Sequence, residues 1–322
     1  MSLSALPVQE LWDRIIDCLH DSPCSLRACA LACRAFTSRA QSLIFHTIHA
    51  PVDPIDCGAF EVERIDELKA RLKRFRTLSS VLLTSPNTGF LISRVQRLDI
   101  HTSSPQVIAA LAGVPWSNVL TLRLKNIPHL SDIVKPVQDL VAIPSLQHLE
   151  LRFAPTVYGG YLLTPSSFST ILRAVREELS SLSLGLCNPY PFSPSSTLNR
   201  DLPTVSWQGN GHARIRTLQL DHSPGIIPLL FALSSGPAPV LDLSYVNTLH
   251  LQRSWNPVLH ELLQRCGQKV ETLHLDAFDD KITTLSFDHF PNLCEVICPN
   301  AADWTPSSQL FRGLPKHVLV RK

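Results

Sequence analysis

Leu146-Gln147-His148-Leu149-Glu150-Leu151-Arg152 sets the fold of this chain, because its apolar-x-x-apolar-x-apolar spacing recurs along the sequence. Residues two apart on a strand share a face, so Leu149 and Leu151 turn to one side while His148, Glu150 and Arg152 turn to the other. The other occurrences are Val95/Leu98/Ile100, Val119/Leu122/Leu124, Leu179/Leu182/Leu184, Ile215/Leu218/Leu220, Val246/Leu249/Leu251, Val270/Leu273/Leu275 and Leu293/Val296/Cys298. Their central residues lie 24, 27, 33, 36, 31, 24 and 23 positions apart. A pattern that returns at this period predicts stacked units, none of which can bury its apolar face alone. The gaps read as helices over Pro105–Ala112, Leu130–Ala142, Ser167–Leu179 and Pro257–Cys266, with Ser22 and Ser104 as N-caps before Pro23 and Pro105, and Gly267 as a helix stop. Strand, helix and parallel strand in alternation predict an α/β fold over residues 95–322.

The spacing resembles that of leucine-rich repeats, whose motif is L-x-x-L-x-L-x-x-N/C-x-L. The Asn/Cys position holds Cys187 in one unit and Ser103, Ala154, Ser223 and Ser254 in others. The resemblance implies an irregular solenoid with parallel strands on a concave face and helices on the convex one. Such arrays bind partners through the concave strand residues. Here those include Asp99, Arg123, Glu150, Arg152, Gln219, His250 and His274. The face is polar, of mixed sign and rich in histidine, which favours a polar peptide over an apolar ligand. His250 and His274 fall at equivalent positions of neighbouring units, so binding is expected to weaken as they charge below about pH 6.5.

The first fifty residues follow another period. Gln9–His20 carries Leu11, Trp12, Ile15, Ile16 and Leu19, an apolar stripe too wide for one partner. A second helix, from Ser22 to about Ala40, carries Leu26, Cys29, Cys33 and Phe36 at helical spacing. This block resembles an F-box through Leu6-Pro7, Glu10-Leu11, Ile15-Ile16-Asp17-Cys18-Leu19, Leu26 and Ala32-Cys33-Arg34-Ala35-Phe36. Ala32 and Phe36 stand where the family has Val and Trp, and one extra residue separates Pro7 from Glu10. The resemblance implies that residues 1–48 dock an Skp-type adaptor, and through it the cullin scaffold of an SCF ubiquitin ligase. The contacts would come from Leu6, Pro7, Leu11, Trp12, Ile15, Ile16, Leu19, Leu26, Cys33 and Phe36. Residues 49–94 then link block to array, through an amphipathic helix over Val62–Phe75. The order F-box then leucine-rich repeats implies a substrate-recognition subunit with an unknown protein target. The alternative is a repeat scaffold with no ubiquitin role, its first residues only capping the array.

Composition narrows the field further. The 322 residues carry 29 Lys+Arg against 27 Asp+Glu, so no strong basic excess argues for nucleic acid or an anionic membrane. The 25 prolines and 12 glycines predict many short elements, among them a Pro/Ser-rich connection from Asn188 to Pro203. The opening residues lack the basic and long apolar regions of a signal peptide. The longest apolar run, Ile226 to Leu233, is interrupted by Pro228 and far shorter than a membrane span. Nine cysteines without framework spacing read as free thiols, which places the chain in cytoplasm or nucleus. Cys29, Cys33, His46 and His49 approach zinc-finger spacing, but the cysteines sit in a strong helix former and the histidines frame a strand-forming pair, so no metal is expected. No phosphate-binding loop, zinc-protease or nucleophile-elbow motif occurs, so neither a catalytic site nor a cofactor is expected.

Overall fold

Leu98, Leu122, Leu149, Leu182, Leu218, Leu249, Leu273 and Val296 stand side by side, each the register partner of the next across neighbouring parallel strands. This computed structural model describes residues 8–50, 70, 73, 77, 80, 89–102, 104–128, 131–154, 165–186, 213–221, 226–234, 239–252, 259–276, 285–299 and 313–321. The chain is α/β, built on one ten-stranded parallel sheet. Its strands are β1 (Thr47–Ala50), β2 (Arg97–His101), β3 (Thr121–Ile127), β4 (His148–Phe153), β5 (Ser181–Leu186), β7 (Thr217–Asp221), β9 (Thr248–Gln252), β10 (Thr272–Asp276), β11 (Glu295–Ile297) and β12 (Leu319–Arg321). A two-stranded ladder, β6 (Ala213–Arg214) with β8 (Leu241–Asp242), lies apart from it.

Strand order in space follows strand order in the chain, with no reversal. Right-handed crossovers that always step the same way put their helices on one side of the sheet. Among the described residues the crossovers carry helices over Gly89–Ile92, Pro105–Ala112, Ser131–Val141, Pro165–Arg173, Ile227–Leu233 and Leu259–Cys266. One continuous core lies between them and the sheet. It takes Leu98 and Ile100, Leu149 and Leu151, and their equivalents from the strands, with Val107, Leu111, Val137, Phe168, Leu230 and Leu262 from the helices. The alternate strand residues form the opposite, polar face, where Arg97, Asp99, Thr217 and Gln219 are half-buried.

Two strands lie outside the eight expected repeats. β1, which straddles the boundary expected at residue 48, pairs with β2, and β12 adds a tenth strand next to β11. The N-terminal block comprises α1 (Val8–Asp17), α2 (Pro23–Ala32) and α3 (Arg34–Ile44), so its second expected helix is in fact two. Cys33 leaves the helix with φ −153° and ψ 138°, and Thr37 then donates its hydroxyl to the carbonyls of Ala30 (2.9 Å) and Cys33 (3.1 Å). That hydroxyl occupies acceptors the broken helix leaves open. The break lets Ala40 join Ile16 and Leu26 in a small separate core.

Ser22 and Ser104 hold the expected N-cap positions ahead of Pro23 and Pro105, but neither hydroxyl caps its helix. The Ser22 hydroxyl pairs with that of Ser25 (2.8 Å), and the Ser104 amide donates to the Thr102 hydroxyl (3.1 Å). Gly267 does not end its helix in a left-handed cap. It is buried at the start of a 3-10 turn, where a Cβ would collide with the His289 carbonyl. Asn126 takes φ 65° where the β3–β4 register shifts, a conformation Asn adopts more readily than other side-chain-bearing residues. Leu6, Pro7, most of the helix expected over Val62–Phe75 and the Asn188–Pro203 connection lie outside the described residues.

Candidate functional site

Two surfaces gather side chains that the core does not use. The first is the outer side of α1. Its helical period splits the wide stripe in two: Ile16 turns inward, 2% exposed, against Leu26 at 1%, with Leu19 packed at the margin. Leu11, Trp12 and Ile15 turn outward, 52%, 40% and 46% exposed. Ile16 and Leu26, expected among the docking contacts, therefore make the block's own core and cannot meet a partner. Cys33 is exposed at the α2–α3 break, and Phe36 is half-buried with its ring 5.1 Å from that of Trp12. Trp12 is thereby anchored from below while one side stays open.

Polar contacts fix the pose of α1. Arg39 reaches both carboxylate oxygens of Asp17 at 2.6 Å, a bidentate pairing that orients as well as attracts. The hydrogen bonds from Arg39 hold the Asp17 carboxyl below the usual carboxylate range. Gln9 donates to the Ala35 carbonyl (3.3 Å) at the other end of the helix pair. Arg94 ties the block to the sheet by donating to the Ser38 hydroxyl (3.0 Å) and carbonyl (3.3 Å).

The second surface is the polar face of the sheet. Glu150 on β4 collects three cations: Arg123 at 3.2 Å, Arg152 at 3.1 Å and Lys125 at 3.9 Å. Asp99 takes Arg97 (3.4 Å) and faces His49 (3.6 Å). Arg152 is itself buried, and its guanidinium crosses β5 to pair with Asp221 on β7. It passes over Gly185, where a Cβ would fall on the guanidinium and 2.6 Å from the Asp221 carbonyl oxygen. Glycine is thus needed at 185 for close approach. Of the expected face residues, Asp99, Arg123, Glu150 and Arg152 belong to this network. Gln219 is the register neighbour of His250, which in turn neighbours His274.

His250 and His274 stack with ring centroids 3.7 Å apart and planes 10° from parallel. Burial, with His274 as second cause, holds His250 down at about 4, and burial also lowers His274 against the opposing pull of Glu295. The expected charging near pH 6.5 is therefore displaced toward acid. An unfolded chain protonates these imidazoles from about pH 6.5 downward, while the folded chain resists at His250 until about pH 4. Folded stability should thus hold above pH 6.5 and decline between 6.5 and 4. Urea midpoints measured across that range should fall for the wild type and fall less for His250→Gln/His274→Gln. Equal slopes would contradict the linkage.

The zinc-like residues are spread over the block: Cys29 on α2, Cys33 at the break, His46 beside the Thr47 hydroxyl (3.1 Å) and His49 toward Asp99. Among the described residues no three or more His, Cys, Asp and Glu side chains are placed to share a metal ion. Burial pushes the Cys266 thiol up to about 12 and that of Cys298 to about 11, well above the range of a reactive thiolate. Among the described residues no helix is long and apolar enough to cross a membrane. His49 and Arg321 also stand on the polar face but carry no sequence signal, because β1 and β12 lack the Leu-x-x-Leu-x-Leu signature. No family model matches this chain, and no curated protein is significantly similar to it.

Proposed function

We infer that this chain is a non-catalytic substrate-recognition subunit of an SCF-type ubiquitin ligase. In this reading the N-terminal block is an F-box that docks an Skp-type adaptor, and the sheet belongs to an irregular leucine-rich-repeat solenoid that selects a target protein. One observation carries the proposal: Leu11, Trp12 and Ile15 lie open on a helix whose opposite side already supplies the block's core. A soluble chain gains nothing by leaving three large apolar groups together in water, whereas an apolar helix face is a standard element of groove recognition. The eight aligned central residues and the one-way strand order support the solenoid. Such a subunit needs no chemistry of its own, since holding a target beside a charged conjugating enzyme raises the effective concentration of its lysines.

Co-purification with a recombinant Skp-type adaptor tests this directly. Leu11→Arg/Ile15→Arg should lose about a hundredfold in affinity, the consequence of roughly 3 kcal/mol at interface anchors. Both positions face solvent, so circular dichroism should be unchanged. Equal adaptor recovery by variant and wild type would defeat the reading and leave the block as a cap of the array.

A further inference from the structure

The charges on the polar face are not evenly mixed. Among the described residues, β2 to β4 contribute four cations (Arg97, Arg123, Lys125 and Arg152) against two carboxylates, Asp99 and Glu150. From β7 to β12 the balance reverses, with Asp221, Asp276 and Glu295 against Arg321. Between the two halves β5 presents only Ser181, Ser183 and Gly185, small and uncharged. The face is thus a basic half and an acidic half separated by a low saddle, bridged by Arg152.

The separation has a definite length. Five strand-to-strand steps lead from β3 to β10, which at about 4.8 Å each is about 24 Å. That is roughly three screening lengths at physiological salt, so a bound segment meets each half as a separate field. A segment of one sign gains at one end and loses at the other. An extended segment covers about 24 Å in roughly seven residues, so opposite charge clusters at that spacing are served at both ends. Within the acidic half Glu295 already pairs with Arg321 (2.5 Å) and Asp221 with Arg152, so its excess is one of count. The stacked His250 and His274, neutral near pH 7, add no positive charge to it and offer a flat surface beside it.

We propose that the polar face binds an extended target segment across its strands, with an acidic cluster over β2 to β4 and a basic cluster over β7 to β11. The inference rests on reading this face as the target-recognition surface. Its test needs no adaptor, so it fails or succeeds apart from the ligase assignment.

Fluorescence anisotropy on the full chain would compare labelled peptides. One carries a Glu cluster and a Lys cluster joined by a Gly/Ser spacer of about seven residues. The others are a peptide of the same composition with Glu and Lys alternating, an all-Glu peptide and an all-Lys peptide. The segregated peptide should bind about tenfold tighter than each of the others and weaken with added salt. Asp276→Lys/Glu295→Lys should transfer the preference to the all-Glu peptide, and Arg123→Glu/Lys125→Glu should transfer it to the all-Lys peptide. Adaptor recovery should be unchanged in both variants. Equal affinity for segregated and alternating peptides would overturn the proposal, as would a ranking that ignores both variants. A chain dimer in sedimentation that these reversals dissociate would assign the face to a second copy, and overturn it too.

Discussion

Ile16→Ala should cost the N-terminal block about 2 to 4 kcal/mol, while Ile15→Ala, one residue earlier on the same helix, should stay within about 0.5 kcal/mol. The difference comes from where 100° of helical rotation leaves each side chain. Ile16 meets Leu26 and Ala40, the three fully buried members of this core among the described residues, so its loss opens a cavity. A three-helix block this small has little stability in reserve. Hydrogen exchange over residues 8–50 reads the effect without interference from the sheet. Ile16→Ala should speed exchange there while leaving β4 to β9 protected. Faster exchange in Ile15→Ala than in Ile16→Ala would reverse the assignment of the two faces. If the proposed docking holds, Ile15→Arg should remove adaptor binding from a block that remains folded, which separates docking from packing.

Gly185→Val should be as damaging in the sheet, by about 3 kcal/mol or more, through two effects that add. The new side chain meets the Asp221 carbonyl on the neighbouring strand, a backbone atom that cannot step aside without disturbing the β5–β7 ladder. It also evicts the guanidinium of Arg152, a buried cation, from its pairing with Asp221. Leaving one member of a buried ion pair unsatisfied costs about 3 to 5 kcal/mol, although Glu150 retains part of the pairing here. Gly89→Val is the control, since nothing lies within 4 Å of a Cβ at that position. Urea denaturation should show a large drop in midpoint for Gly185→Val and little for Gly89→Val. Similar midpoints would mean that Arg152 is free to go elsewhere.

The strands were legible because period-two leucines have one physical meaning when they return at a regular interval. Spacing alone puts Leu149 and Leu182 in neighbouring units, and they are register partners. The ends of the sheet were not legible for the complementary reason. β1 (Thr47–Ala50) has no leucine, with Ile48 packed against the core, and β12 is exposed along its length, so neither carries a doublet of inward leucines. The Ile227–Leu233 helix was obscured by Pro228, which breaks an apolar run to the eye yet sits in the first turn, where its missing N–H costs nothing. The break at Cys33 has neither Gly nor Pro to announce it, and its stabilising contact comes from Thr37, four residues on. On α1 the apolar stripe was visible in the sequence, but which half faces inward is decided by Leu26 and Ala40 across the block. The same holds for Gly185, which becomes necessary only once Arg152 is seen to cross it.

The unreversed strand order has a consequence for how the molecule assembles. Each strand of the array needs only the unit beside it, so folding can start in the middle and spread outward by closing short loops, rather than waiting for distant segments to meet. The longest closure is the first: Ile48 pairs with Leu98, fifty residues away. Loop entropy grows only with the logarithm of length, so this closure costs about 0.6 kcal/mol more than one half as long. Extra residues between β1 and β2 would therefore be cheap, whereas one residue inserted within β4 would swap the faces of everything that follows it on that strand.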